Sequence, residues 1–249
     1  MKDWEWFDRD ADSYEENLPV VEGLGRALAD FAGLAPGLRL LDVGSGTGAV
    51  ARPALTKGCR ITAIDMAPNM LRKLQTDLPE ITVRRMDVTR LGLPDGSFDV
   101  VLAGWVLDIL DDPAAAVTEI HRVLAPGGTF AASVKCPLEQ RWYWFRDMVD
   151  ELGPREYTPR PPIDVPALLA EAGFGAVERR LVEHPRRFGD PEALWNRLMS
   201  ALSASNRLPA ERATEFRERF LAHARRMHAD GDLVVHQDSE LFRAKATTT

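Results

Sequence analysis

Leu40-Leu41-Asp42-Val43-Gly44-Ser45-Gly46-Thr47-Gly48 is a run of buried-strand residues that ends in three glycines at alternate positions. An apolar stretch closed by glycine reads as a strand entering a tight turn. Glycine at every second position lets the backbone take positive φ and approach a ligand with no Cβ in the way. Ala49 to Lys57 can form a helix whose amino terminus faces that turn. Strand, turn and helix together open an α/β domain, and the turn is expected to hold a ligand that carries a nucleoside.

A dinucleotide site is the first competitor, because its fingerprint is G-x-G-x-x-G after a strand, with an acid about 20 positions later. Here the glycines follow G-x-G-x-G, Ala49 stands at the third dinucleotide position, and Asp42 precedes the first glycine by two places. A carboxylate there repels a pyrophosphate and attracts an ammonium or a sulfonium. The second strand, Arg60-Ile61-Thr62-Ala63-Ile64-Asp65, also ends on a carboxylate. In open α/β sheets ligands bind at the carboxyl edge of the strands, so Asp65 can accept from both hydroxyls of a ribose. It can equally cap the helix that starts near Ala67 and Pro68, and the two roles are compatible.

From these residues the chain resembles the class I S-adenosylmethionine-dependent methyltransferases that act on small molecules, similar to the ubiquinone- and menaquinone-biosynthesis type and to secondary-metabolite enzymes. Further segments match in order: Arg84-Arg85-Met86-Asp87-Val88, Leu93-Pro94-Asp95-Gly96-Ser97-Phe98-Asp99-Val100-Val101, and Glu119-Ile120-His121-Arg122-Val123-Leu124-Ala125-Pro126-Gly127-Gly128. The resemblance covers roughly residues 36 to 135. It implies a Rossmann-like sheet of seven mostly parallel strands, the last antiparallel, with a helical lid inserted between the last two strands. It also implies S-adenosyl-L-methionine as cofactor, leaving S-adenosyl-L-homocysteine as product. The expected cofactor set is Asp42, Gly44, Ser45, Gly46, Asp65, Met66, Met70, Asp87, Val88 and Gly104, in which Asp87 meets the adenine amino group and the Val88 amide the ring. Tyr14 is added because Asp8 to Tyr14 resembles the family's covering helix, in which a tyrosine reaches toward the methionine carboxylate.

The chain has 249 residues and a formal charge of -7 with both signs interspersed, which suits one medium α/β domain and argues against a phosphate-backbone binder. We read residues 1-249 as a single domain: 1-34 a helical cap, 36-135 the cofactor core, 136-165 and 190-230 insertions around the acceptor. Strands are expected near 38-43, 60-65, 81-86, 98-103, 128-135, 176-183 and 233-245. Met1 to Trp6 lacks the apolar run of a signal peptide and no stretch is long enough to cross a bilayer, so a cytoplasmic protein with no membrane partner is expected. Cys59 and Cys136 cannot form a disulfide framework, and no metal-ligand spacing accompanies them.

The partner expected is a small, apolar or aromatic acceptor. Trp142-Tyr143-Trp144-Phe145 cannot all lie on one helix face, so they either line the acceptor pocket or pack against an inserted helical element or a second copy in a homodimer. Trp195, Leu198, Met199 and Leu202 form one helical stripe and Phe216, Phe220 and Ala224 another. A sulfonium methyl is already activated, so alignment is the main task and a base is needed only when the acceptor must lose a proton. Asp108, after the fourth strand, and His184, after the sixth, are the candidates, with a helix cap or solvated loop as the plain reading of Asp108. His121 reads as a surface residue. A protein of this fold that binds or cyclises a ligand without methyl transfer is the second functional reading.

Overall fold

The computed structural model describes residues 3-9, 11-137, 142-152, 162-204, 210-231 and 233-247. Contacts divide the chain into two compact units, one from the described residues of 1-135, 160-182 and 239-249, the other from those of 136-159 and 183-238.

The first unit is built on a seven-stranded sheet, β1 (Arg39–Val43), β2 (Arg60–Asp65), β3 (Thr82–Arg85), β4 (Phe98–Gly104), β5 (Leu124–Lys135), β6 (Glu178–Val182) and β9 (Ser239–Lys245), in the order β3-β2-β1-β4-β5-β9-β6. β1 to β5 pair in parallel, and β9 runs antiparallel to both β5 and β6, as expected. Helices α3 (Val20–Phe31), α4 (Ala51–Thr56) and α5 (Pro68–Asp77) supply one face, and α6 (Pro113–Val123) and α8 (Val165–Glu171) the other. The side-chain period of two explains both cores. Leu41, Val43, Val101 and Ala103 face Ile120 and Leu169, whereas Leu40, Val100 and Leu102 face Leu24, Leu28 and Leu74. Central parallel strands are therefore apolar on both sides.

The neighbours of β1 lie on either side of the point where strand order reverses. Register pairs Val43 with Ile64 and with Ala103, so Gly44, Asp65 and Gly104 follow at a common edge. Two short helices, α1 (Asp3–Arg9) and α2 (Tyr14–Asn17), join this edge: the Asn69 amide and side chain donate to Asp8, and Thr47 and Arg52 donate to Glu15. His121 is not the surface residue expected. It packs edge-on against Phe174 at 5.0 Å and shares a 3.1 Å hydrogen bond with the Gly173 carbonyl, because the end of α6 is pressed against the turn after α8.

The second unit contains α7 (Tyr143–Asp150), β7 (Pro185–Arg187), α9 (Pro191–Ala204), α10 (Ala213–Ala229) and β8 (Val234–His236), with β7 and β8 paired antiparallel. The single strand expected at 233-245 is thus two, β8 and β9. Asp238 breaks it: its carboxylate accepts from the His184 amide at 2.7 Å and lies 3.1 Å from His236 Nδ1, while its carbonyl accepts from the Cys136 amide. Trp142, Trp144 and Phe145 pack with Trp195, Phe216, Phe220 and Ala224 around a core of this unit's own, leaving only Tyr143 of the aromatic run exposed. The side chains of Met199 and Leu202 lie outside the described residues. Among the described residues no helix is long and apolar enough to cross a membrane.

Candidate functional site

A cavity of about 380 Å³ opens over the carboxyl edge of the first unit, within the range typical of small-molecule sites. The ends of β1, β2 and β4 give it Gly44, Gly46, Asp65, Met66 and Gly104; the segment after β3 gives Met86, Asp87, Val88 and Thr89. Trp4, Phe7 and Tyr14 come from the amino-terminal helices. A smaller cavity of about 50 Å³ continues from Tyr14 and Gly44 along Ser45, Thr47, Val21 and Gly25, with Trp105 lining both. The resemblance-derived set is therefore gathered in one place, with Asp42 beneath it.

Asp65 organises the floor. Its Oδ2 accepts from the Gly46 amide at 2.8 Å and its Oδ1 from the Ala67 amide at 2.9 Å, so one carboxylate ties the glycine turn to the start of α5. Burial raises its pKa and these amides oppose the rise. Gly46 has φ +51, and a Cβ there would meet nothing within 4 Å: its backbone borders open space where a ligand can approach. Asp87 turns inward on one oxygen, Oδ1 accepting from the Thr89 amide and hydroxyl at 2.9 and 2.8 Å, which leaves Oδ2 available. Met70 is buried beside Ala11, Ala67, Phe7 and Tyr14, and the Met66 carbonyl accepts from Arg85 Nε at 3.0 Å.

Asp42 is 1% exposed, and neither of its oxygens receives a hydrogen bond of good geometry. Burial first, and the neighbouring Asp65 charge second, push its pKa up to about 8, with only a partial offset from the Ala51 amide. In the unfolded chain the same carboxyl ionises near 4, so the folded protein holds one extra proton between those values. Stability contributed by that proton is complete below about pH 4 and is lost as pH rises toward about 8, by at most about 1.4 kcal/mol per unit. Calorimetric melting of the ligand-free protein from pH 5 to 8 should show this decline, and Asp42→Asn should flatten it.

Tyr14 has its pKa pushed up to about 12, by burial and then by the negative charges of Asp65, Glu15 and Asp108, so its hydroxyl stays a donor at any working pH. Asp108 sits on the short turn Leu107–Ile109 with Oδ1 buried and without a hydrogen-bond partner among the described residues. His184 belongs to the second unit, its Nε2 likewise without a hydrogen-bond partner among the described residues. Trp4, Phe7 and Trp105 are cavity residues that lie outside the expected set, and the place of Trp105 depends on a backbone angle. Trp105 has φ +54 and is fixed by three bonds, its amide donating to the Ser133 carbonyl and Oγ, each at 3.1 Å, and its indole to Ser239 Oγ at 2.9 Å.

A doubly wound sheet with a glycine turn and two carboxylates at its switch point defines a nucleoside-binding α/β protein. Residues 41–132 match the family described as "Methyltransferase domain". An uncharacterized methyltransferase of Mycobacterium bovis is 30% identical over 185 residues, which is 73% of this chain and 71% of that one. A malonyl-[acyl-carrier protein] O-methyltransferase of Serratia marcescens is 33% identical over 127 residues, 51% of this chain, which spans half (50%) of that relative's length. Among solved structures, the phosphoethanolamine N-methyltransferase 2 of Haemonchus contortus in complex with S-adenosyl-L-methionine shares the fold, with a TM-score of 0.58 at 19% identity over 90% of this chain and 52% of that one. This chain belongs to the family of S-adenosylmethionine-dependent methyltransferases. The site fits that cofactor: open backbone at Gly46 and a lining that includes Asp65, Asp87, Asp111 and Asp112 suit a ligand with an ammonium, a sulfonium and a ribose.

Proposed function

We propose that this protein methylates a small-molecule acceptor. The observation that carries the reading is the acidic lining of the cavity over the glycine turn, which favours a cationic methyl donor and disfavours the pyrophosphate of a dinucleotide. Asp65 accepts from the ribose hydroxyls, Asp87 Oδ2 and the Val88 amide meet the adenine, and Gly44, Ser45, Gly46 and Gly104 present backbone to the methionine end. Met66 and Met70 pack on the adenosine. Asp42, below the turn, recovers its negative charge when an ammonium binds above it. The Tyr14 hydroxyl donates to the methionine carboxylate. Bound S-adenosylmethionine supplies an activated methyl group, so the protein's part is to align the acceptor and exclude water, which is worth about 7 to 11 kcal/mol when geometry is ideal. Where the acceptor must lose a proton, Asp108 is the base in the first unit and His184 the candidate in the second.

Calorimetric titration with S-adenosylhomocysteine should give micromolar binding, and incubation with methyl-labelled S-adenosylmethionine and an acceptor panel should place label in a small product. Binding without any labelled product across the panel would instead favour a ligand-binding or cyclising scaffold. Tyr14→Phe should weaken the homocysteine product's binding about threefold to tenfold, the usual worth of one hydrogen bond. Unchanged affinity in that variant removes Tyr14 from the site.

A further inference from the structure

The carboxyl ends of β4 and β5 carry a polar group that cofactor binding does not use. Lys135, the last residue of β5, holds its Nζ 4.9 Å from the centroid of the Trp105 indole. That indole cannot swing away, because Ser133 and Ser239, both 0% exposed, fix its backbone and its ring nitrogen. Trp105 is also the one non-glycine residue with positive φ among the described residues, so its unusual conformation is maintained where it presents this ring. No ion pair neutralises Lys135 among the described residues. The Asp108 charge acts on it, but the two groups do not form a salt bridge. Lys135 is exposed by surface area, yet protein surrounds it closely enough that burial lowers its pKa, with the Asp108 charge opposing the shift.

A fixed cation at the sheet edge that receives a sulfonium is electrostatically costly unless an anion offsets it; Asp108 does so only through space, without a direct ion pair to Lys135 among the described residues. Aromatic support holds an ammonium in place without neutralising it, which keeps it available to such an anion. We propose that Lys135, presented on the indole of Trp105, recognises the acceptor, and that the acceptor is a small organic acid whose carboxylate pairs with the Lys135 ammonium; the inference rests on the methyl-transfer reading above. Lys135 takes no proton in this scheme. It selects a carboxylate over the corresponding amide and holds it at the edge of β4 and β5.

The chain has five lysines, Lys2, Lys57, Lys73, Lys135 and Lys245. Reductive methylation with ¹³C-formaldehyde gives each a separate dimethylammonium signal, and Lys135→Arg identifies the one of interest. Acetate, then benzoate, is added to the protein saturated with S-adenosylhomocysteine, at constant pH, with chloride at equal ionic strength as control. The Lys135 signal should move saturably at an anion concentration at least tenfold below that needed to move the other four. A Lys135 signal that follows the others, or moves equally with chloride, overturns the proposal. Calorimetric binding of S-adenosylhomocysteine to the same methylated protein tells that result apart from failure of the cofactor site.

Discussion

Asp65→Ala should weaken S-adenosylhomocysteine binding by about tenfold to a hundredfold, corresponding to about 1.5 to 3 kcal/mol for losing hydrogen bonds to a charged acceptor. Two losses coincide. On the proposed reading the ribose hydroxyls lose their carboxylate, and the Gly46 and Ala67 amides, which donate to it at 2.8 and 2.9 Å, are left without an acceptor. The glycine turn is then no longer tied to α5, so the backbone that would face the ligand is no longer preorganised. Asp65→Asn keeps one carbonyl acceptor and should lose less. Calorimetric titration of both variants beside wild type measures the effect, with thermal melting to confirm that each is folded. Wild-type affinity in a folded Asp65→Ala protein would remove Asp65 from the cofactor site and with it the ordering of the floor argued above.

Gly25→Ala should lower the melting temperature by about 2 to 12 °C, from an overpacking cost of about 1 to 3 kcal/mol and a size-dependent shift of about 2 to 4 °C per kcal/mol. Helix propensity alone predicts the opposite sign, since alanine is favoured over glycine in a helix interior by about 1 kcal/mol. Packing decides it. A Cβ at Gly25 would stand 2.1 Å from the Ala49 carbonyl oxygen and 2.5 Å from its carbon, and a backbone atom cannot rotate aside as a side chain would. Either α3 withdraws or the segment after Gly48 moves, and both line the small cavity beside the glycine turn. Reduced S-adenosylhomocysteine affinity should therefore accompany the loss of stability. A melting temperature equal to or above wild type would show that α3 can shift freely.

Much of the sheet was legible because its cues are local. Leu40 to Gly48 and Arg60 to Asp65 combine apolar runs with glycine or a carboxylate, and each pattern has few competing structures. The expected cofactor residues came from a resemblance whose motifs lie on those same strands. What escaped the sequence depends on contacts distant along the chain. Gly25 reads as a weak helix residue until Ala49 is placed against it. Trp105 reads as an apolar residue past β4 until Ser133 and Ser239 fix its angle, and only then does Lys135 acquire a ring to rest on. The split of residues 233-245 was hidden for a similar reason: the β-rich composition is continuous, and the break comes from Asp238 engaging His184 and His236.

β9 comes last in chain order among the sheet strands yet lies inside the sheet, between β5 and β6. During synthesis β1 to β5 emerge first and can pair, but β6 has no neighbour in the sheet until residues 239 to 245 leave the ribosome. The same late segment brings Ser239, the partner of the Trp105 indole. A nascent chain therefore carries its glycine turn long before it can set the wall beside it, and ligand-competent protein should form only after β9 has been inserted.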